Sequence, residues 1–162
     1  MREASFQIGP VRSAADLDAT ARLFEAYVAA LGIDLGFQGF AAELATLPGP
    51  YAAPAGALLL ARDPLGQALG CVGLRPIQPV GCCEMKRLYV SPLGRGRGLG
   101  GALIRALLAE AVRIGYREMR LDTLPSMGEA ISLYQKAGFV PIAPYYDTPL
   151  AGTIFMARSL AA

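Results

Sequence analysis

The chain has 162 residues, 54% of them apolar and 17% charged, and a net charge of +2, which fits one domain over residues 1–162 that needs no metal or disulfide framework. So small a net charge, without a Lys/Arg run among aromatic residues, does not indicate a nucleic-acid partner, and the apolar runs are too short to cross a bilayer. The absence of histidine excludes Ser/His and Cys/His catalysis and His-ligated zinc, and no metal site is predicted.

The first half of the chain predicts a strand, two helices and an antiparallel strand pair, in that order. Ser13 and Asp16 form an S-x-x-D start for the first helix, and Gly32 ends it. A turn that contains Pro and Gly separates the two strands, which suits a hairpin. These elements are expected at residues 6–11, 13–31, 40–47, 57–62 and 68–74.

The second half predicts a βαβ unit followed by a helix and two strands. The helix of this unit lies between strands at residues 82–90 and 117–123, and this element order makes the two strands parallel. Ser126 and Glu129 form an S-x-x-E box that opens the last helix, which Gly138 ends. The segments FVPIAPYY and TIFMARSL supply the final strands. The element order therefore predicts an α/β protein of the mixed α+β kind.

Cysteine spacing and the amino-terminal segment bear on the compartment. Cys71, Cys82 and Cys83 are an odd number without CxxC spacing, which favours reduced thiols in the core over a disulfide scaffold. The first residues carry charges where a secretory leader would need an unbroken apolar stretch. The sequence therefore predicts a cytoplasmic protein.

The segment R-G-R-G-L-G-G, between the strand at residues 82–90 and the next helix, is suited to bind phosphate. Successive glycines let backbone N–H groups converge on an anion, and the helix adds its unpaired N–H groups and the positive end of its dipole. The arginines can make bidentate contacts with phosphate oxygens. The residues expected to bind are Arg95, Gly96, Arg97, Gly98, Leu99, Gly100 and Gly101. A glycine-rich turn with two solvated arginines is the alternative interpretation.

A dinucleotide site is a second alternative for the same loop. Gly96, Gly98 and Gly101 satisfy G-x-G-x-x-G, and Asp122 follows about twenty residues later at the end of a strand. Against this interpretation, the segment SPLGR separates the glycines from their strand, and the chain predicts one βαβ unit where a nucleotide half-domain needs two.

Three segments of the chain form a recognisable set: the strand EMKRLYV, the loop R-x-x-G-x-G with Arg95, Gly98 and Gly100, and the helix ending in ISLYQKAGF. By these segments the chain resembles the GCN5-related N-acetyltransferases (the GNAT family). The matching stretch covers residues 83–139, and the tail PYYDTPLAGTIFM resembles a bacterial subgroup with undefined substrates. The resemblance implies a central mixed sheet of about seven strands flanked by about four helices, with a splay between two parallel central strands. It also implies an enzyme that uses acetyl-CoA (coenzyme A) as its acyl donor.

The resemblance further implies how the acyl donor is held. Its pantetheine arm would lie in the splay and pair with the backbone of Leu88, Tyr89 and Val90, and the Leu88 N–H would face the thioester oxygen. The loop amides would hold the pyrophosphate, with Arg95 alongside. Many family members carry Asn where this chain has Met127, so a side-chain contact from the neighbouring Ser126 would have to replace it. A helix cap is the simpler role for Ser126.

Two residues match catalytic positions of the family. Glu84 matches a general base that acts directly or through water on the amine, whose pKa of about 10 keeps it protonated at neutral pH. The alternative is an i, i+2 pairing of Glu84 with Lys86 on one strand face. Tyr134 matches the acid that protonates the departing thiolate, and a packing role on its helix is the alternative.

The remaining expectations concern the acceptor and partners. By resemblance, residues that could line the acceptor site are Asp34, Phe37, Arg75, Tyr145, Tyr146 and Asp147. Tyr146 and Asp147 could equally form a turn beside two prolines. A small-molecule amine or amino-acid derivative is expected, and a non-catalytic acyl-CoA sensor is the alternative function. The apolar composition is compatible with a homodimer, although no sequence feature locates an interface.

Overall fold

The computed structural model of the chain describes residues 5–36 and 39–160, and these ranges contain seven strands and four α-helices. The strands are β1 Gln7–Pro10, β2 Ala57–Arg62, β3 Ala68–Ile77, β4 Cys82–Val90, β5 Glu118–Thr123, β6 Val140–Ile142 and β7 Ile154–Ser159. The helices are α1 Ala14–Leu31, α2 Phe40–Ala45, α3 Leu99–Ile114 and α4 Gly128–Lys136.

The seven strands form one sheet in the order β1-β2-β3-β4-β5-β7-β6. Neighbouring strands are antiparallel except β4 and β5, which α3 connects as a parallel pair. The predicted α/β fold, with a mixed sheet of about seven strands and about four helices, is confirmed. A dinucleotide-binding fold needs several neighbouring parallel strands, whereas the described strands include one such pair.

Helices and apolar side chains cover the two faces of the sheet. On one face, α3 contributes Leu103, Ile104 and Leu107, all fully buried, to the larger core cluster. On the other, Phe24 of α1 packs edge-on against Tyr51 in a smaller cluster. Consecutive residues of β2 belong alternately to the smaller and the larger cluster, because successive side chains of a strand point to opposite faces of the sheet.

The starts of α1 and α4 show where helix signals predict correctly and where they do not. Ser13 and Asp16 form the predicted capping box, and Gly32 ends α1 in the left-handed region at φ 66°. The predicted box at the start of α4 is wrong, because α4 begins at Gly128 and its N-cap is Met127 without a side-chain hydrogen bond. The Met127 N–H donates to the carbonyl of Leu124 at 2.9 Å, so Ser126 lies inside a turn that precedes the helix.

The three cysteines are buried and carry free thiols, as predicted. Burial raises the pKa of the Cys83 thiol to about 12, which keeps it protonated and unreactive at neutral pH. Within residues 5–36 and 39–160, no helix is both long enough and apolar enough to span a bilayer.

Candidate functional site

The parallel strands β4 and β5 pair only at their first residues and then separate. Their registered pairs are Cys82 with Glu118, Cys83 with Met119 and Glu84 with Arg120. Beyond these pairs β4 continues to Val90 and β5 to Thr123 without pairing to each other. The backbone of both strands is therefore open to a third, extended segment between them, as the predicted splay requires.

A cavity, here called the splay cavity, lies where the two strands separate. It is lined by residues from both strands, from α1 and α4 and from the segment before β7. The lining residues are Tyr27, Leu31, Leu35, Met85, Lys86, Arg87, Leu88, Asp122, Thr123, Leu124, Met127, Tyr134, Tyr146, Thr148, Leu150 and Thr153. The charged side chains among them are Lys86, Arg87 and Asp122.

A β-bulge interrupts the pairing of β4 with β3 next to this cavity. The register shifts between Cys71, which faces Tyr89, and Gly73, which faces Lys86. Arg87 takes the left-handed conformation at φ 59°, which is uncommon for a residue with a side chain. A bulge bends its strand and re-aims the residues that follow, here Leu88 at the edge of the splay cavity.

The side chain of Arg87 holds the bulge against α2. Its Nε and Nη2 atoms each donate to a Glu43 carboxylate oxygen at 3.0 Å, and its guanidinium lies 5.3 Å from the Phe40 ring centroid. The Tyr51 hydroxyl donates to the same carboxylate at 3.1 Å. The side chains of Arg87 and Glu43 are 3% and 9% exposed, so a nearly dry ion pair accompanies the strained backbone.

Residues 95–98 lead into α3, and the other residues predicted to bind phosphate, Leu99, Gly100 and Gly101, form the first turn of this helix. Gly96 and Gly98 have φ values of 77° and 72°, which favour glycine. The first N–H groups of a helix have no intrahelical acceptor. Gly98 is the N-cap of α3 and has no side chain that could accept from them. Arg95 and Arg97 are exposed, and Arg97 donates to the Ser5 hydroxyl at 3.0 Å. This arrangement suits an anion.

Glu84 lies in the paired part of the strands and contacts two protein groups. Its Oε1 accepts from Arg75 Nε at 2.8 Å, and its Oε2 accepts from the Tyr145 hydroxyl at 2.5 Å. Glu84 is 1% exposed, and it is absent from the described residues that line the splay cavity. Its carboxylate therefore has no direct contact with the splay cavity among the described residues.

Tyr134 joins the core to the splay cavity. It is 6% exposed, packs edge-on against Phe139 with ring centroids 6.0 Å apart, and also lines the cavity. Desolvation by burial and the negative charge of Asp122 raise the pKa of its phenol above the ordinary value. At neutral pH the group is therefore protonated, the state that a general acid needs.

The predicted acceptor residues are only partly brought together. Tyr146 lines the splay cavity, and its hydroxyl donates to Asp122 Oδ2 at 2.8 Å. Tyr145 and Arg75 contact Glu84 instead. Asp34 and Asp147 are exposed and absent from the described lining.

Phe37 lies outside the described residues. The predicted cofactor contact at Ser126 falls on an exposed residue, and its neighbour Met127 lines the cavity instead.

Lys86, Asp122 and Thr123 also line the splay cavity, a position that was not predicted for any of them. The positions of Lys86 and Asp122 were recoverable from strand alternation, because each lies two residues beyond the facing pair Glu84 and Arg120. The Oγ atoms of Thr123 and Ser91 are buried without a hydrogen-bond partner in the described parts of the chain. Of the two, Thr123 lines the splay cavity, where such a hydroxyl can hydrogen-bond a ligand.

Comparisons with known proteins agree with this geometry. A model described as the acetyltransferase (GNAT) family matches residues 22–139 of the chain. A protein of Schizosaccharomyces pombe, described as an uncharacterized N-acetyltransferase, is 40% identical over 156 residues, which are 96% of this chain and 96% of the relative. Because this relative is fungal, the predicted bacterial subgroup is not confirmed.

Solved structures share the fold. An acetyltransferase of the GNAT family from Staphylococcus aureus has a TM-score of 0.79 at 18% identity, over 96% of this chain and 99% of that one. A Salmonella typhimurium protein solved with its cofactor acetyl-CoA has a TM-score of 0.68 at 21% identity, over 97% of this chain and 95% of that one. At these identities the likeness shows the fold alone.

Proposed function

Because the chain belongs to the acetyltransferase (GNAT) family, we propose that it transfers an acetyl group from acetyl-CoA to the amine of a small molecule or amino-acid derivative, with both substrates bound at once. The observation that carries this proposal is the separation of β4 from β5 after three registered pairs. One end of the opening leads to the uncapped start of α3, and the splay cavity fills the other.

The residues present fit acetyl-CoA, which supplies an activated acyl group as a thioester. The amides of residues 97–101 bind the pyrophosphate at the start of α3, and Arg95 contributes charge. The backbone of Leu88 to Val90 pairs with the pantetheine arm. The Thr123 hydroxyl supports this fit, because it lies at the end of β5 on the wall of the splay cavity and is buried without a hydrogen-bond partner among the described residues.

Three groups of the chain are proposed to act on the thioester and on the amine that attacks its carbonyl carbon. The proposed oxyanion donor is the N–H of Leu88, next to the bulge, whose hydrogen bond to the thioester carbonyl oxygen would stabilise developing negative charge. Tyr134, protonated at neutral pH, donates its proton to the leaving sulfur. Glu84 is the proposed base, acting through water, since its own oxygens accept from Arg75 and Tyr145. If Glu84→Gln keeps both the rate and the pH profile of kcat/KM, Glu84 is not part of the mechanism.

The proposal is tested by screening amines and amino acids with acetyl-CoA and measuring release of free thiol. We expect turnover with a subset of primary amines, confirmed by mass spectrometry of an acetylated product. Tight binding of acetyl-CoA with no turnover above the uncatalysed background would instead indicate a sensor module.

A further inference from the structure

One carboxylate is among the described residues that line the splay cavity, and it belongs to Asp122 of β5. The two basic residues of the wall have partners within the protein. Arg87 donates to both carboxylate oxygens of Glu43, and Lys86 has an interaction of its own. A ligand of this cavity therefore meets one acidic group among the described residues, the Asp122 carboxylate.

The Asp122 side chain is held in place and keeps acceptor capacity. It is half-buried, and the Tyr146 hydroxyl donates to its Oδ2 at 2.8 Å. The rings of Tyr145 and Phe155 pack edge-on against the Tyr146 ring, with centroids 5.5 and 5.2 Å away, and restrict its movement. A carboxylate offers about four lone-pair sites, and the Tyr146 hydroxyl uses one. Asp122 can therefore accept from the N–H groups of a ligand.

Three tyrosine rings line the same cavity: Tyr27 of α1, Tyr134 of α4 and Tyr146. Burial raises the pKa of all three phenols, and the negative charge of Asp122 adds to the effect at each of them. The phenols are therefore neutral at neutral pH, and the carboxylate acts on rings from two helices. Because the face of an aromatic ring attracts a cation, a carboxylate among these rings suits an ammonium group.

The rest of the wall favours an aliphatic chain. Leu31, Leu35 and Leu150 line the cavity, and removing apolar surface from water stabilises a complex. A ligand with a cationic amine at one end and an aliphatic chain at the other matches both parts of the wall.

We infer that the acceptor enters as an alkylammonium ion, the protonated form of an aliphatic primary amine, which Asp122 binds while Tyr146 holds Asp122 in position. This inference rests on the proposed function and names its substrate class. A neutral acceptor, such as an arylamine, lacks both the ion pair with Asp122 and the attraction of a cation to the rings. Asp122 binds the amine in this role and does not take its proton.

The first test compares the binding of isoamylamine and isoamyl alcohol to the protein saturated with coenzyme A, which carries no acetyl group and so permits no transfer. The probes share their alkyl chain and differ in carrying an ammonium or a hydroxyl group. Calorimetric titration should give an affinity at least about tenfold higher for the amine, the size of one charge-assisted hydrogen bond. Asp122→Asn should remove this preference by weakening the binding of the amine and not that of the alcohol.

The second test separates binding from turnover in steady-state assays with acetyl-CoA. Asp122→Asn should raise the KM for isoamylamine by at least about tenfold and change kcat by a smaller factor. Asn keeps an oxygen that can accept from the Tyr146 hydroxyl, so this contact survives the substitution. Asp18→Asn removes an exposed carboxylate of α1 and should change neither the KM nor the preference for the amine.

A second pair of variants tests the positioning role and replaces Asp122→Asn should that variant fold poorly. Tyr146→Phe keeps the ring contacts and removes the hydroxyl that orients Asp122, so the KM for isoamylamine should rise. Tyr145→Phe should leave this KM nearly unchanged, because the Tyr145 hydroxyl contacts Glu84 instead.

Two results would overturn the inference and leave the proposed function intact, provided that some amine is acetylated. One is an affinity for isoamylamine that does not exceed the affinity for isoamyl alcohol, or a preference that Asp122→Asn retains. The other is acetylation of the neutral arylamine p-toluidine with a kcat/KM equal to or above that of isoamylamine. A protein that neither binds acetyl-CoA nor acetylates any amine would contradict the proposed function itself.

Discussion

Arg87 combines two unfavourable features, a left-handed backbone and a buried charge, at the point where β4 turns toward the splay cavity. Each is offset locally. Glu43 neutralises the guanidinium through two hydrogen bonds of 3.0 Å, and the Cys71 thiol donates to the Arg87 carbonyl at 3.5 Å. Strain retained at such a site is consistent with a functional geometry, here the proposed hydrogen bond from the Leu88 N–H.

Glu43→Gln should destabilise the protein strongly, because it leaves the Arg87 charge buried without a counter-charge. Breaking a buried ion pair from one side costs about 3–5 kcal/mol, which urea unfolding would measure. Glu110→Gln is the matched control: its pair with Arg113 is on the surface, with side chains 28% and 68% exposed, and we expect a change below about 1 kcal/mol. Equal effects of the two substitutions would contradict the role given to the buried pair.

Tyr134→Phe should lower kcat by about one to two orders of magnitude, the low side of general acid catalysis, because a thiolate is already a fair leaving group. The ring contact with Phe139 is retained, so acetyl-CoA affinity and the unfolding free energy should change little. Rapid-quench kinetics measure kcat, and calorimetric titration measures the affinity for acetyl-CoA separately. An unchanged kcat in a folded variant would show that Tyr134 is not the general acid and has only a packing role.

At the scale of elements, Asp16 joins the start of α1 to β2. Its Oδ2 accepts the N–H groups of Arg12 and Ser13, and its Oδ1 accepts from Arg62 Nη2 at 2.8 Å. The Arg62 hydrogen bond first, and then these backbone N–H groups, lower the pKa of Asp16 from 3.8 to about 2. The carboxylate therefore stabilises the fold fully above about pH 4, and this contribution is lost as the pH falls through about 2.

Asp16→Asn should lower the melting temperature at pH 7 by about 2–4 °C, the effect of losing about 1 kcal/mol at a helix cap in a chain of this size. The difference from the unaltered protein should shrink as the pH falls from 4 toward 2, which urea midpoints can follow. Asp18→Asn, at an exposed position beyond the first turn of the same helix, is the control. A difference that stays constant down to pH 2 would contradict the ionic role.

Element bounds were predictable where hydrophobic runs and turn residues agree. β2 and β4 have the predicted bounds, because Pro and Gly punctuate apolar runs of strand length. The start of α4 was mispredicted because an S-x-x-E pattern cannot show whether a turn closed by the Leu124 carbonyl comes first. The bulge at Arg87 was missed because no glycine marks it, and its partner Glu43 is 44 residues away.

At the scale of the whole molecule, the parallel pairing of β4 and β5 and their separation after three pairs determine where the splay cavity lies. The βαβ order was sufficient to predict it, since such crossovers follow one topology. The site could be predicted only where backbone chemistry leaves a sequence signature, as in the glycines before α3. The contacts of Asp122 with Tyr146, and of Glu84 with Tyr145, come from a segment folded back over the sheet, which local patterns do not specify.

The central claim is that the amides at the start of α3 bind the pyrophosphate of an acyl-CoA whose thioester lies in the splay. Calorimetric titration with acetyl-CoA and with S-acetylpantetheine, which keeps the thioester and lacks the pyrophosphate, tests it directly. We predict saturable one-site binding of acetyl-CoA and an affinity for S-acetylpantetheine that is at least about a hundredfold weaker, since two or more charge-assisted hydrogen bonds are lost. Equal affinities, or no binding of acetyl-CoA to the folded protein, would contradict the claim.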